Sequence, residues 1–108
     1  MFDFDAFLET LKTDLTEVVS DFGEDLKDDL LNDAGDFAFQ TKEDLIKWSK
    51  MLKDGEISAD DFEFLLKAKK DLAEMEALKQ RGLTQAKLDK LKLAIMDTVA
   101  GSVKKVIA

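Results

Sequence analysis

Apolar residues return along this chain in steps of three and four. Phe4, Leu8, Leu11, Leu15, Val18 and Phe22 form the first such series, a heptad-like seam that sets all six side chains on one face of a helix. Asp3 stands where a carboxylate caps the N–H groups of a first turn, and Phe2 and Phe7 flank it at the spacing of a hydrophobic staple. The spacing predicts a helix to about Phe22. Beyond Gly23 the pattern resumes at Leu26, Leu30 and Leu31, so a second segment is expected to about Asp33, with Gly23 as a kink or a break. The stretch "NDAGDFAFQTKED" (32–44) then reads as a loop, with Gly35 as a helix C-cap and Asp36 or Thr41 as the next N-cap.

Phe37, Thr41, Leu45, Trp48 and Leu52 share the next face, which stops at Asp54–Gly55. Ser58 restarts the chain with Asp61 three residues on, a capping box, and Ile57 and Phe62 stand at staple positions. Phe62, Leu65, Leu66, Leu72, Met75 and Leu78 predict one long element ending at Gly82. Thr84 caps the last element, with Leu83 and Leu88 as its staple. Leu88, Leu91, Ile95, Val99, Val103 and Val106 form its stripe, and Lys104 and Lys105 suit the negative dipole end of its last turn. "LKDGEISADDF" (52–62) and "LKQRGLTQAKL" (78–88) echo each other. Each stops a helix at Gly, restarts it at a hydroxyl cap, and pins the corner with an apolar pair.

Composition agrees with this reading. The chain has 108 residues, 45% of them hydrophobic, with no Pro and five Gly. It is too apolar for a disordered acidic tail and free of the residue that most strongly breaks helices. The expected fold is all-α, a single domain over 1–108, built as a small antiparallel bundle of four main helices, or five if Gly23 breaks the first. So many apolar stripes on so short a chain, together with the coiled-coil character of Phe4–Phe22, point to a homodimer or higher oligomer.

Charge is unevenly placed. Residues 1–36 hold twelve Asp or Glu against two Lys, while residues 64–108 hold ten Lys or Arg against five acids; the whole chain carries −8. This polarity favours the first segment packing near the last within one chain, and head-to-tail contact between chains. Cys and His are both absent, which removes disulfides, thiolate ligands, the usual transition-metal ligand and the commonest general base. The acid-rich start "MFDFDAFLETL" lacks a basic n-region, so no secretory signal is expected there, and no apolar run approaches the ~20 residues of a membrane span. A cytoplasmic setting follows as an expectation.

Candidate chemistry is thin. "KDGEISADDF" (53–62) resembles the second half of an EF-hand loop. With Gly55 at position 6, Asp54, Ser58 and Asp61 fall at positions 5, 9 and 12. Lys50 and Leu52 then occupy positions 1 and 3, where carboxylates belong, so no metal is expected. From Leu45 to Phe62 the chain also resembles the short C-terminal oligomerisation domains of many bacterial proteins. Those have an apolar helix, a G-x-I-T turn and an acidic, Phe-containing helix start; the lysine spacing that follows in them is not reproduced here.

Asp21, Glu24, Asp25, Asp28 and Asp29 form an acidic cluster whose plain reading is a solvated helix face. Carboxylate-bridged di-metal bundles add Glu-x-x-His pairs, and His is missing. Lys67, Lys69 and Lys70, and Lys87, Lys90 and Lys92, make two basic patches. The net charge, the single Arg and the lack of interleaved aromatics set them against nucleic-acid binding. Ser20, Ser49, Ser58 and Ser102 have no partner base, and the glycines form no phosphate loop, so no enzyme and no cofactor are expected.

The small-residue cluster Ala94, Ala100, Gly101 and Ser102 suggests close helix approach, since Gly inside a helix costs about 1 kcal/mol against Ala. Phe2, Phe4 and Phe7, three aromatics at one chain end, are expected to pack on the bundle or on a second chain. The leading expectation is a non-catalytic interaction or assembly module, binding itself or another protein through Phe4, Leu8, Leu11, Leu15, Val18 and Phe22. A peripheral lipid-surface binder using the Leu88–Val106 face is the alternative, and a nucleic-acid-related role comes third.

Overall fold

The computed structural model describes residues 2–107. Six helices follow in order: α1 (Phe4–Val19), α2 (Lys27–Gln40), α3 (Lys42–Lys53), α4 (Ala59–Lys67), α5 (Glu76–Lys79) and α6 (Gln85–Ile107). Single 3₁₀ turns at Glu24–Leu26 and Lys70–Leu72 precede α2 and α5. Among the described residues there is no strand. The all-α class stands; among the described residues the expected four main helices become six, and the expected outline changes at three places.

The first is Gly23. α1 ends at Val19, and Gly23 adopts φ +119° while donating to the Val19 carbonyl at 2.9 Å. A Cβ at Gly23 would lie 2.8 Å from Asp25 Oδ1, so the break depends on glycine both for its backbone angles and for space. The second is the stretch 32–44, which is helix and not loop. α2 runs through Gly35 because Leu30, Ala34, Phe37 and Ala38 share a fully buried face at helical spacing. Nothing lies within 4 Å of a Cβ built on Gly35; it neither caps nor packs. The break falls instead at Thr41. Its hydroxyl donates back to the Phe37 carbonyl at 2.9 Å rather than capping α3, a local bond that competes with helix continuation.

The third is the predicted single element from Ser58 to Leu78. α4 stops at Lys67, and the chain then passes through Met75 in the left-handed region (φ +57°) before α5. No Gly or Pro lies between Ser58 and Gln80, so the break is imposed from outside. The side chain of Asp33 on α2, only 4% exposed, accepts hydrogen bonds from the N–H groups of Ala77 (3.1 Å) and Leu78 (2.9 Å). It caps α5 from another helix and seats Leu78 in the core. Arg81 adds a second tie to α2, donating to the Asp29 carboxylate and, at 2.8 Å, to the Asp25 carbonyl.

The local caps form as their spacing predicts. Asp3 accepts from the Ala6 N–H at 3.0 Å. Ser58 and Asp61 form both bonds of the capping box, and Thr84 accepts from the Lys87 N–H at 3.2 Å. Gly55 and Gly82, with φ +79° and +72°, end the helices before two of these caps.

α6 is the spine. It runs antiparallel to α1: Asp21 and Phe22 lie beside Thr84 and Lys87, Asp14 meets Ser102 and Lys105, and Phe2 lies beside Val106. α4 and α3 pack on it as well. The core joins Phe7, Leu11, Leu15 and Val19 of α1 to Leu30 and Phe37 of α2, Leu45 of α3, Phe62 and Leu66 of α4, and Leu91, Ile95, Val99 and Val103 of α6. Each such side chain contributes about 1.5–3 kcal/mol by leaving water. The charge polarity acts here too, since Lys105–Asp14 and Arg81–Asp29 tie the basic C-terminal part to the acidic first third. The close approach expected at Gly101 is not the reason for that glycine, because a Cβ there would meet nothing within 4 Å. Among the described residues no helix is long and apolar enough to cross a membrane.

Two measurements of unfolding by urea check this account. Asp33→Ala leaves one buried and one part-buried amide donor without their acceptor and is expected to cost about 2–3 kcal/mol; a loss below ~1 kcal/mol would mean α5 is held by packing alone. Gly35→Ala is expected to stabilise by up to about 1 kcal/mol, whereas Gly23→Ala is expected to destabilise by about 1–3 kcal/mol, because φ +119° strains any side-chain-bearing residue.

Candidate interaction surface

Most of the predicted contact seam is spent inside the chain. Phe4, Leu11 and Leu15 are buried, and Leu8, Val18 and Phe22 are half-buried. The staple aromatics pack with them: the Phe7 ring centroid lies 5.6 Å from both Phe2 and Phe4. Along the Leu88–Val106 stripe, Leu91, Ile95, Val99 and Val103 are fully buried, and only its two ends are partly open. The surfaces left over lie elsewhere.

One is a groove of about 500 Å³ where the start of α1 meets the face of α3 and the last turn of α6. α3 supplies one wall because Ile46, Ser49, Lys50 and Lys53 recur at steps of three and four and share one side of the helix. Ser49 turns its hydroxyl inward to the Ile46 carbonyl at 2.9 Å, which leaves the floor apolar. Phe2, Val106 and Ile107 close the other sides, and Lys50, Lys53 and Asp54 stand on the rim. Its volume falls within the ~300–1,000 Å³ range of pockets that accept whole small molecules or several side chains.

Next to Phe2 an aromatic cluster extends outward. Phe39 of α2 is 60% exposed, its ring centroid 5.5 Å from that of the buried Phe4. The Lys42 ammonium sits 4.9 Å from the centre of the Phe4 ring, within cation–π range. This end of an otherwise acidic chain is therefore rich in lysine: α3 alone carries Lys42, Lys47, Lys50 and Lys53 against Glu43 and Asp44.

Two of the four acids in the EF-hand-like stretch are engaged in structural bonds. Asp54 accepts from the Lys50 ammonium at 2.6 Å, and Asp61 accepts from the Ser58 N–H. The hydrogen bond that Lys50 donates to Asp54 raises the Lys50 pKa above its ordinary value, so Lys50 is a cation at neutral pH. Among the described residues no group of three or more His, Cys, Asp or Glu is arranged to hold a metal ion. The acidic cluster of the first third is partly occupied as well, with Asp25 and Asp29 facing Arg81. Lys67 and Lys69, from the first basic patch, face Asp97 and Asp44.

A second exposed feature was invisible as such in the sequence. Phe64 of α4 is 75% exposed, although it sits between two buried positions, Phe62 and Leu66. The alternating pattern around it signals nothing special for a helix. Only the placement of α4 on α6 decides which of its aromatics is covered. Burying Phe64 would be worth about 1.5–3 kcal/mol, and Asp60 and Asp61 stand one turn before it on the same face.

The groove depends on where the last turn of α6 is held. Lys104 donates to Glu63 of α4 at 2.7 Å, and Lys105 donates to Asp14 of α1 at 2.7 Å. Asp14 also accepts from the buried Ser102 hydroxyl at 2.7 Å. Burial pushes the Asp14 carboxyl upward, but the hydrogen bonds from Lys105 and Ser102 together outweigh it, and its pKa lies below the ordinary value. Glu63 is lowered by the hydrogen bond from Lys104. The chain matches no protein-family model, no curated protein and no solved structure.

Because the folded Asp14 carboxyl titrates below its unfolded counterpart, the stability it contributes is present above the unfolded pKa, near 4. That contribution is lost as pH falls through the lower folded value. Urea unfolding from neutral pH down to about pH 3 is expected to show a steeper acid loss in the wild type than in Asp14→Asn. Superimposable pH profiles would show that the Asp14–Ser102–Lys105 cluster does not anchor α6.

Proposed function

We propose that this chain is a non-catalytic protein-interaction module of a cytoplasmic setting, and that its contact surface is the lysine-rimmed groove between α1, α3 and α6 rather than the Phe4–Phe22 seam. The observation that carries the reading is the open, apolar lining of Phe2, Ile46, Val106 and Ile107. Concave apolar ground rimmed by polar groups is the usual anatomy of a recognition site. The seam residues contribute by holding α1 against α6, so that the groove keeps its shape, and self-association or another protein partner fits the same surface. A lipid-surface role draws on the Leu88–Val106 stripe, most of which faces the chain's own interior, and the groove offers the better-exposed apolar ground. The absence of His and Cys and the engagement of Asp25, Asp29, Asp54 and Asp61 in a cap and ion pairs support a binding role over a chemical one.

A photo-crosslinking amino acid placed at Lys53, on the rim, tests this in the cell of origin. Irradiation is expected to give a protein–protein adduct from position 53 and none from Glu9, an exposed position on α1. Adducts of equal yield at both positions, or lipid adducts alone at position 53, would overturn the reading.

A further inference from the structure

The groove has a complement on the chain itself. Phe64 is among the most exposed large apolar side chains. It projects from an acidic helix start: Asp60 and Asp61 precede it by four and three residues, and Glu56 lies in the loop before α4. Phe64 is not among the residues that line the groove, so the two features occupy separate surfaces of one molecule. One offers an aromatic ring with two carboxylates one turn before it and Lys67, which faces Asp97, one turn after; the other offers an apolar hollow rimmed by Lys50, Lys53 and Asp54.

We propose that the occupant of the groove is the α4 face of a second copy of this chain, with Phe64 entering between Ile46 and Val106 and with Asp60 and Asp61 facing Lys53 and Lys50. This rests on the groove being an interaction surface and names its partner. Charge selects this pairing over the simplest alternative. A two-fold contact of groove on groove sets Lys50 and Lys53 against their own copies, and like charges at short range are repulsive. Knob on groove instead brings the carboxylates of Asp60 and Asp61 toward the rim lysines. The contact joins two different patches, so it is heterologous in type. Asp54, on the rim, already accepts from Lys50, so Lys53 is the rim cation that gains most from the incoming carboxylates.

The chain-wide charge polarity supports the same geometry. A chain of net −8 repels its copies at long range, and association needs a local basic site to receive an acidic one. The lysines of α3 form such a site. Because the attraction involves exposed charges, it weakens with added salt.

The test is a mixing experiment. Wild-type protein, Phe64→Ser and Ile46→Asp are followed by light scattering after size exclusion, from micromolar to millimolar concentration, with circular dichroism to verify folding. Phe64 is exposed, so its loss leaves the fold intact. Lys53→Glu, also at an exposed position, serves as a second groove variant should Ile46→Asp perturb folding. The wild type is expected to rise above the 12.1 kDa of one chain as concentration increases. Each single variant is expected to associate at least about thirtyfold more weakly, as loss of a central contact residue does.

An equimolar mixture of Phe64→Ser, which keeps a groove, with Ile46→Asp, which keeps a knob, is expected to form a two-chain species that neither forms alone. A wild type that stays monomeric throughout, an unchanged assembly in Phe64→Ser, or a mixture that stays monomeric although the wild type assembles overturns the proposal. If the Lys53 crosslinker captures a different protein while the wild type remains monomeric, this inference fails and the groove stands as an interaction surface. If the crosslinker captures no protein, both fall.

Discussion

The buried carboxylate of Asp33 is the constraint on which the second half of the molecule depends. It accepts the Ala77 and Leu78 N–H groups across more than forty residues of sequence. Orphan donors at a helix start need an acceptor, and α5 is too short to form without one supplied from outside. By providing it, α2 fixes where the chain between α4 and α6 must pass, and Arg81 closes the same junction from the other side. Leu78 is thereby brought into the core, and Thr84 stands in position to start α6. The cost is an awkward passage, with Met75 in left-handed geometry, which a non-glycine residue adopts only when its surroundings compel it.

From that anchoring follows the position of α6, and from α6 the positions of everything that remains exposed. α6 lies antiparallel to α1 and takes α3 and α4 on its flanks. Its first turn is set by the α5 junction and its last by Lys104 and Lys105. The groove exists because three helices end or begin near one another without filling the space between them. Phe64 is exposed because α4 enters the core through Phe62 and Leu66, two residues to either side of it. The two candidate contact features thus arise from a single packing arrangement.

Much of the local structure was legible in the sequence, and for local reasons. The caps at Asp3, Ser58 and Thr84 depend on residues within three positions of one another, and the helix stops at Gly23, Gly55 and Gly82 depend on one residue each. The misread segments share a different cause. Gly35 looked like a terminus, yet the buried face of Leu30, Ala34 and Phe37 carries the helix through it. Thr41 looked like a cap and is a joint. The run from Ser58 to Leu78 had continuous helical periodicity, yet the long-range bond from Asp33 cut it in two.

The sequence by itself determined the helical class, most of the apolar faces and the charge polarity that draws the first third toward the last, because helical period and net charge are sums over near neighbours. Only the tertiary structure decided which apolar residues stay outside. Phe4 through Leu15 read as a surface stripe for a partner and lie largely within the core, whereas Phe64, set in the same kind of pattern, faces water. Periodicity tells which side chains share a face. Which faces meet is settled by the crossing of helices, and here that crossing hangs on one buried aspartate and two lysines at the end of α6.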